Sequence, residues 1–150
     1  MTKRIILAAA SGLLATAASA TPLPPAYGDL PAIHQEGEIT YLSGGIGQDE
    51  AQAMKRAAAQ YPLELVFVQR DGKKENYLAD MPVRIVDAKG AVVFEGRSEG
   101  PYFLAELPKG SYTVSTKWDA WSFSRHVNVG KEHERVVFEW GPELNHAASN

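Results

Sequence analysis

Gly100-Pro-Tyr-Phe-Leu-Ala-Glu-Leu-Pro-Lys-Gly-Ser-Tyr-Thr-Val114 holds two alternating stretches separated by Leu107-Pro108-Lys109-Gly110. Phe103, Ala105 and Leu107 alternate with Tyr102, Leu104 and Glu106. Beyond the turn, Tyr112, Val114, Thr116 and Trp118 share one parity, and Ser111, Thr113, Ser115 and Lys117 share the other. Successive strand side chains point to opposite faces, so a period of two predicts two strands, the second with one buried and one wet face. Pro108 removes a backbone donor and Gly110 tolerates unusual backbone angles, which places the turn there.

The same period extends outward on both sides. Leu63, Leu65 and Phe67 alternate with Glu64, Val66 and Val68, a strand apolar on nearly both faces and therefore central. A polar loop, Arg70 to Asn76, precedes a strand over Tyr77 to Asp87, with Pro82 limiting pairing at its start. Ala88-Lys89-Gly90 reads as a hairpin turn into a strand over Val92 to Ser98. Downstream, Asp119-Ala120 makes a tight connection into Trp121 to Val129, and Gly130 to His133 turns the chain into Arg135 to Trp140. In the Trp121 to Val129 strand, Arg125 has the parity of core residues, so it either twists out or meets a carboxylate such as Glu139 or Asp119.

One segment breaks the pattern. Gln48 to Gln60 is rich in helix formers, with Asp49 and Glu50 early and Lys55 and Arg56 later, the charge order that a helix dipole favours. Ala51, Met54, Ala58 and Tyr61 form one face at helical spacing, and Pro62 ends the segment. Ile39 to Ser43 has the composition of a short strand before it. The expectation is a mainly β, antiparallel sandwich of seven or eight strands with one inserted helix over about 48–60, all in one domain from 37 to 141.

The chain begins with Lys3 and Arg4, an apolar run from Ile5 to Ala18, and Ala18-Ser19-Ala20. This order predicts a secretory signal peptide over 1–20, its run of about 14 residues being shorter than the roughly 20 a membrane span needs. A proline-rich extended leader over 21–36 and a disordered tail over 142–150 complete the expected organisation. The chain lacks cysteine, which excludes a lipid anchor at cysteine, disulfides and thiolate metal sites. Removing 1–20 takes two of the 15 basic residues and none of the 18 acidic ones, leaving 13 against 18 and a formal charge of −5. That balance argues against nucleic acid as a partner. The expected address is the periplasm, with full secretion as the alternative, and no membrane span after signal removal.

The pattern Gly-x-x-Phe-x-x-x-Leu-Pro-x-Gly-x-Tyr-x-Val over Gly100 to Val114 resembles the carboxypeptidase regulatory-like domain, a transthyretin-like, or prealbumin-like, sandwich. The likeness extends over Tyr77 to about Val129, with Asp80 to Ile85 and Asp87 to Gly90 similar to that family's opening strand and first hairpin. The chain after position 20 is also similar to small periplasmic proteobacterial proteins that join a Gly-Gly-Ile-Gly turn and a helix to such a sandwich. The resemblance implies an accessory domain that packs on catalytic partners or binds other proteins or glycans. Two activities of the wider group do not carry over. The peptidase zinc site needs His-x-x-Glu, which His34-Gln35-Glu36 does not supply, and the related hydrolases end in Tyr-Arg-Gly-Ser, unlike Asn145 to Asn150.

Ser43-Gly44-Gly45-Ile46-Gly47 before the helix admits a phosphate-loop reading, but no Gly-Lys-Ser/Thr follows and Asp49 and Glu50 place negative charge there. His126 and His133 could meet across the last hairpin with Glu132 or Glu134 as a metal site, against the simpler reading of surface histidines. No Gly-x-Ser-x-Gly elbow surrounds a serine. Trp118 and Trp121 flank a two-residue turn with Tyr102 placed near them, and these aromatics either cap the open end of the core or form a binding tip. No catalytic residue, cofactor or metal is expected. The functional expectation is a non-catalytic domain supporting another envelope protein, with a glycan-binding module at the aromatic tip and an enzyme of unrecognised type as alternatives.

Overall fold

The computed structural model describes residues 29–141, so the expected signal peptide, the first half of the leader and the tail lie outside the described residues. Ten strands and one helix follow in the order β1 (His34–Glu36), β2 (Ile39–Gly44), α1 (Gln48–Ala57), β3 (Leu63–Asp71), β4 (Lys74–Tyr77), β5 (Met81–Asp87), β6 (Val92–Ser98), β7 (Tyr102–Glu106), β8 (Gly110–Trp118), β9 (Trp121–Val129) and β10 (Glu134–Trp140). A 3₁₀ turn, Ala58–Gln60, completes the expected helical segment. One sheet has the order β1-β2-β7-β3-β10, with β4 pairing the far half of β3, and the other has the order β6-β5-β8-β9. These are sheet A and sheet B.

The stretch quoted above is where the chain passes from one sheet to the other. β7 belongs to sheet A and β8 to sheet B, so Leu107-Pro108-Lys109 is a crossing. The Tyr112 hydroxyl donates to the Pro108 carbonyl at 2.6 Å and braces it. At the other end of β7, Gly100 approaches the Gly44 backbone so closely that a Cβ would lie 2.2 Å from the Gly44 carbonyl oxygen, leaving no room for any side chain.

Between the sheets lies one core. Leu63, Leu65, Phe67, Phe103 and Ala105 from sheet A meet Val83, Ile85, Phe94, Val114 and Val127 from sheet B. A second core lies on the far face of sheet A, where Leu42, Val66, Val68, Tyr102 and Leu104 pack under Met54, Ala57 and Ala58. The small alanines let α1 lie close to the sheet, and Ala53 and Ala57 join the buried stripe while Ala51 and Tyr61 sit at its margin. Burying Met54 fully contributes about 1.5–3 kcal/mol. The outer face of sheet B stays wet, with hydroxyl and amide pairs along β8 and β9: Ser111 with Asn128 at 2.7 Å, Thr113 with His126 at 3.0 Å, and Ser115 with Ser124 at 2.9 Å.

Three features depart from expectation. The arrangement is not wholly antiparallel, because β10 runs parallel to β3. β9 and β10 lie in different sheets, so the link between them is not bound to hairpin geometry and the last strand can enter sheet A in either direction. Among the described residues the strands number ten, because the end of the leader forms β1 and the predicted polar loop is the β3–β4 hairpin, turning at Gly72 with φ 60°. Both added strands are exposed throughout, and their pairing rests on main-chain hydrogen bonds rather than on an apolar face. The strand predicted over Tyr77 to Asp87 is divided at Asp80, which adopts φ 55°.

Candidate functional site

The β8–β9 hairpin closes with Trp118 opposite Trp121 across Asp119, which takes φ 53°. Both indoles are half-buried and turn in against the inter-sheet core. Trp118 meets Trp140 edge-on at 6.2 Å between ring centroids, and Phe123 meets Trp140 at 5.1 Å and 86°. Trp140 is 2% exposed, and its indole N–H has no hydrogen-bond partner among the described residues. The tip therefore closes the core as well as lining its mouth.

Tyr102 does not join them. It has the opposite parity to Phe103 on β7, so it points away from sheet B and lies 3% exposed in the core under α1. Tyr77 stacks on it at 5.8 Å, and the Lys55 ammonium sits 5.7 Å from its ring centroid. Burial first, and then the hydrogen bond with Tyr77, raise the Tyr102 phenol well above the usual tyrosine range. Sheet A separates this tyrosine from the two tryptophans.

Arg125 stands opposite Val114, a core residue, yet its side chain is exposed. β9 is the last strand of sheet B, so the guanidinium can bend out past the edge. It lies 5.9 Å from the Phe123 ring centroid and donates to the Ser124 carbonyl at 3.1 Å. The proposed carboxylate partner Glu139 is held instead by Arg70, at 3.0 Å, and Arg70 also grips Glu75 at 2.8 Å. Half-buried Trp121 and Phe123 with exposed Arg125 thus form an open flank along β9.

A charged centre that the sequence reading missed lies on the far face of sheet A. Glu64, 4% exposed, accepts from His133 Nε2 at 3.0 Å and faces Arg135 Nε at 3.3 Å. His133 Nδ1 lies 2.7 Å from the Tyr61 carbonyl oxygen, so both ring nitrogens face oxygen atoms. Its traceable sign was Glu64 itself, a charge inside an otherwise apolar central strand, which demands a cation nearby. His126 is elsewhere, on the wet face of sheet B with Thr113, so the two histidines do not converge. In the glycine loop before α1, the Gly45 N–H donates to the Glu50 carboxylate, so the protein's own acid takes the amide a phosphate would have used.

A trough of about 440 Å³ crosses the wet face of sheet B, lined among others by Arg84, Glu95, Arg97, Ser115 and Lys117. Arg84 faces Glu95 at 3.6 Å, and Arg97 is fastened to Asp80, whose carboxyl it holds below the usual range by hydrogen bonding. No protein-family model, curated protein or solved structure matches the chain.

Proposed function

We propose that this protein is a non-catalytic accessory domain of the periplasm, a transthyretin-like β-sandwich that binds another envelope protein. The observation that carries the reading is the open flank of β9, where Trp121 and Phe123 are half-buried and Arg125 is exposed at a core-facing position. Aromatic side chains and arginine beside a packed core are the residue types that anchor protein interfaces. The passage from β7 to β8 through Leu107-Pro108-Lys109 and the β5–β6 hairpin at Ala88-Lys89-Gly90 support the transthyretin-like architecture. The parallel β3–β10 pair and the added strands β1 and β4 are elaborations on it. The basic and apolar start of the chain supports the periplasmic address.

The inward packing of Trp118 and Trp121 favours a protein partner over a sugar, since stacking on a pyranose ring requires a freely exposed aromatic face. A photo-crosslinker placed at Ser124 in cells should capture one defined envelope protein, and the same group at Gln52, on the exposed side of α1, should not. Equal capture from both positions, or none from Ser124, would overturn the reading. A shift in tryptophan fluorescence on titration with peptidoglycan fragments would favour the glycan alternative.

A further inference from the structure

Sheet A ends on β1 and β10 and has a further edge at β4, which pairs with β3 alone, and sheet B ends on β6 and β9. A strand edge presents unpaired main-chain groups, and proteins commonly protect such edges with short strands, charges, glycines or bulges. Four of the five edges carry such protection, β4 being four residues long with Lys74 and Glu75 in it. β1 is three residues long. β6 contains Glu95, Gly96 and Arg97, and its pairing with β5 shifts register between Ile85 and Val86. β10 carries Glu134, Arg135 and Glu139.

β9 carries almost none of it. It is nine residues long, pairs with β8 in unbroken register, contains neither proline nor glycine, and holds Arg125 as its one full charge. Among the described residues no strand pairs with its outer side. An edge of this kind accepts an extended chain through main-chain hydrogen bonds, with side-chain pairs deciding which chain. Here the deciding residue is Arg125, exposed and lying over Phe123. β9 contains no aspartate or glutamate, so a second copy joined edge to edge through β9 brings Arg125 no carboxylate in any register.

We propose that β9 receives an extended segment of a partner polypeptide as a fifth strand of sheet B. That segment carries an acidic residue opposite Arg125, with apolar residues two positions to either side, opposite Phe123 and Val127. Residues directly opposite in neighbouring strands share a face, so the apolar pair extends the inner core while the acid answers the arginine. The pattern apolar-x-acidic-x-apolar rests on the protein-binding reading above and gives that reading a geometry.

The test uses the full chain and a fluorescent nine-residue peptide, Val-Thr-Val-Thr-Glu-Thr-Val-Thr-Val, with anisotropy as readout. Its symmetric pattern fits β9 in either direction. Exchanging the central Glu for Lys should weaken binding about tenfold, because an attractive cross-strand pair becomes a repulsive one. Arg125→Glu should reverse that preference, and N-methylation of all the peptide amides, which blocks both edges, should abolish binding. Absence of binding by the Glu peptide, equal binding of the Glu and Lys peptides, or unchanged binding after N-methylation would each overturn the proposal. So would sedimentation showing a dimer that Arg125→Glu dissolves, which would make a second copy the occupant. If Ser124 still crosslinks one envelope protein while the Glu peptide fails to bind, strand addition is wrong and the protein-binding reading stands.

Discussion

β3 in sheet A and β8 in sheet B are both nine residues long and both are interior strands, yet their environments differ. β3 is buried from Leu63 through Val68, because one face meets sheet B and the other meets α1. β8 buries Tyr112, Val114 and Thr116 and turns Ser111, Thr113, Ser115 and Lys117 toward solvent. Polar groups on the outward face of β8 therefore need only each other or water, whereas the one charge at the centre of β3 needs dedicated partners. Glu64 has them in His133 and Arg135. One helix over one sheet thus changes the rules for every outward-facing residue beneath it.

The most damaging way to break this contrast is to remove the cover. Met54→Ala should cost about 2–5 kcal/mol, measured by denaturant unfolding, because it leaves a void in the core between α1 and sheet A. A loss under 1 kcal/mol would mean that the second face of β3 is not held as a true core. Matched polar substitutions sharpen the point. Glu64→Gln should cost about 1–3 kcal/mol by leaving the Arg135 cation unanswered and weakening the contact with His133, the cost being moderated by their partial exposure. Ser115→Ala on the wet face of β8 should stay within about 0.5 kcal/mol.

The smallest effect appears only at alkaline pH. Tyr102 keeps its proton in the folded protein to a higher pH than in the unfolded chain, so its contribution is complete below the ordinary tyrosine range near 10 and is lost as pH rises through the folded value. Unfolding midpoints should fall above about pH 10, and Tyr102→Phe should flatten part of that fall. Tyr41, Tyr61 and Tyr112, also raised by burial, account for the remainder. An identical decline in the variant would remove Tyr102 as a contributor.

The same contrast explains what could be read from the sequence. The apolar run of β3, broken only by Glu64, announced a central strand, the alternation of β8 announced one wet face, and the alanine stripe announced a helix lying on a sheet. β1 and β4 were not legible, since strands exposed on both faces carry no period. The direction of β10 was not legible either, because alternation reports a face and says nothing of the neighbour. Tyr102 illustrates the limit most clearly. Parity assigned it the face opposite Phe103, but only the three-dimensional arrangement shows that this face lies under α1, away from Trp118 and Trp121. Arg125 shows the complementary limit, for a core-facing position on an outermost strand can still reach water.

The parallel ladder between β3 and β10 bears on how the chain assembles in time. β3 is made early and β10 is the last strand of the described chain, with Glu134 settling opposite Leu63 and Trp140 opposite Gln69. One flank of β3 therefore waits, unpaired and flanked by apolar side chains, until nearly all of the chain has emerged. Contacts this distant in sequence are slow to close and leave adhesive surface exposed meanwhile. Completion of sheet A is thus a late event, and a chain cut short before Glu134 would keep its most apolar strand as an open edge.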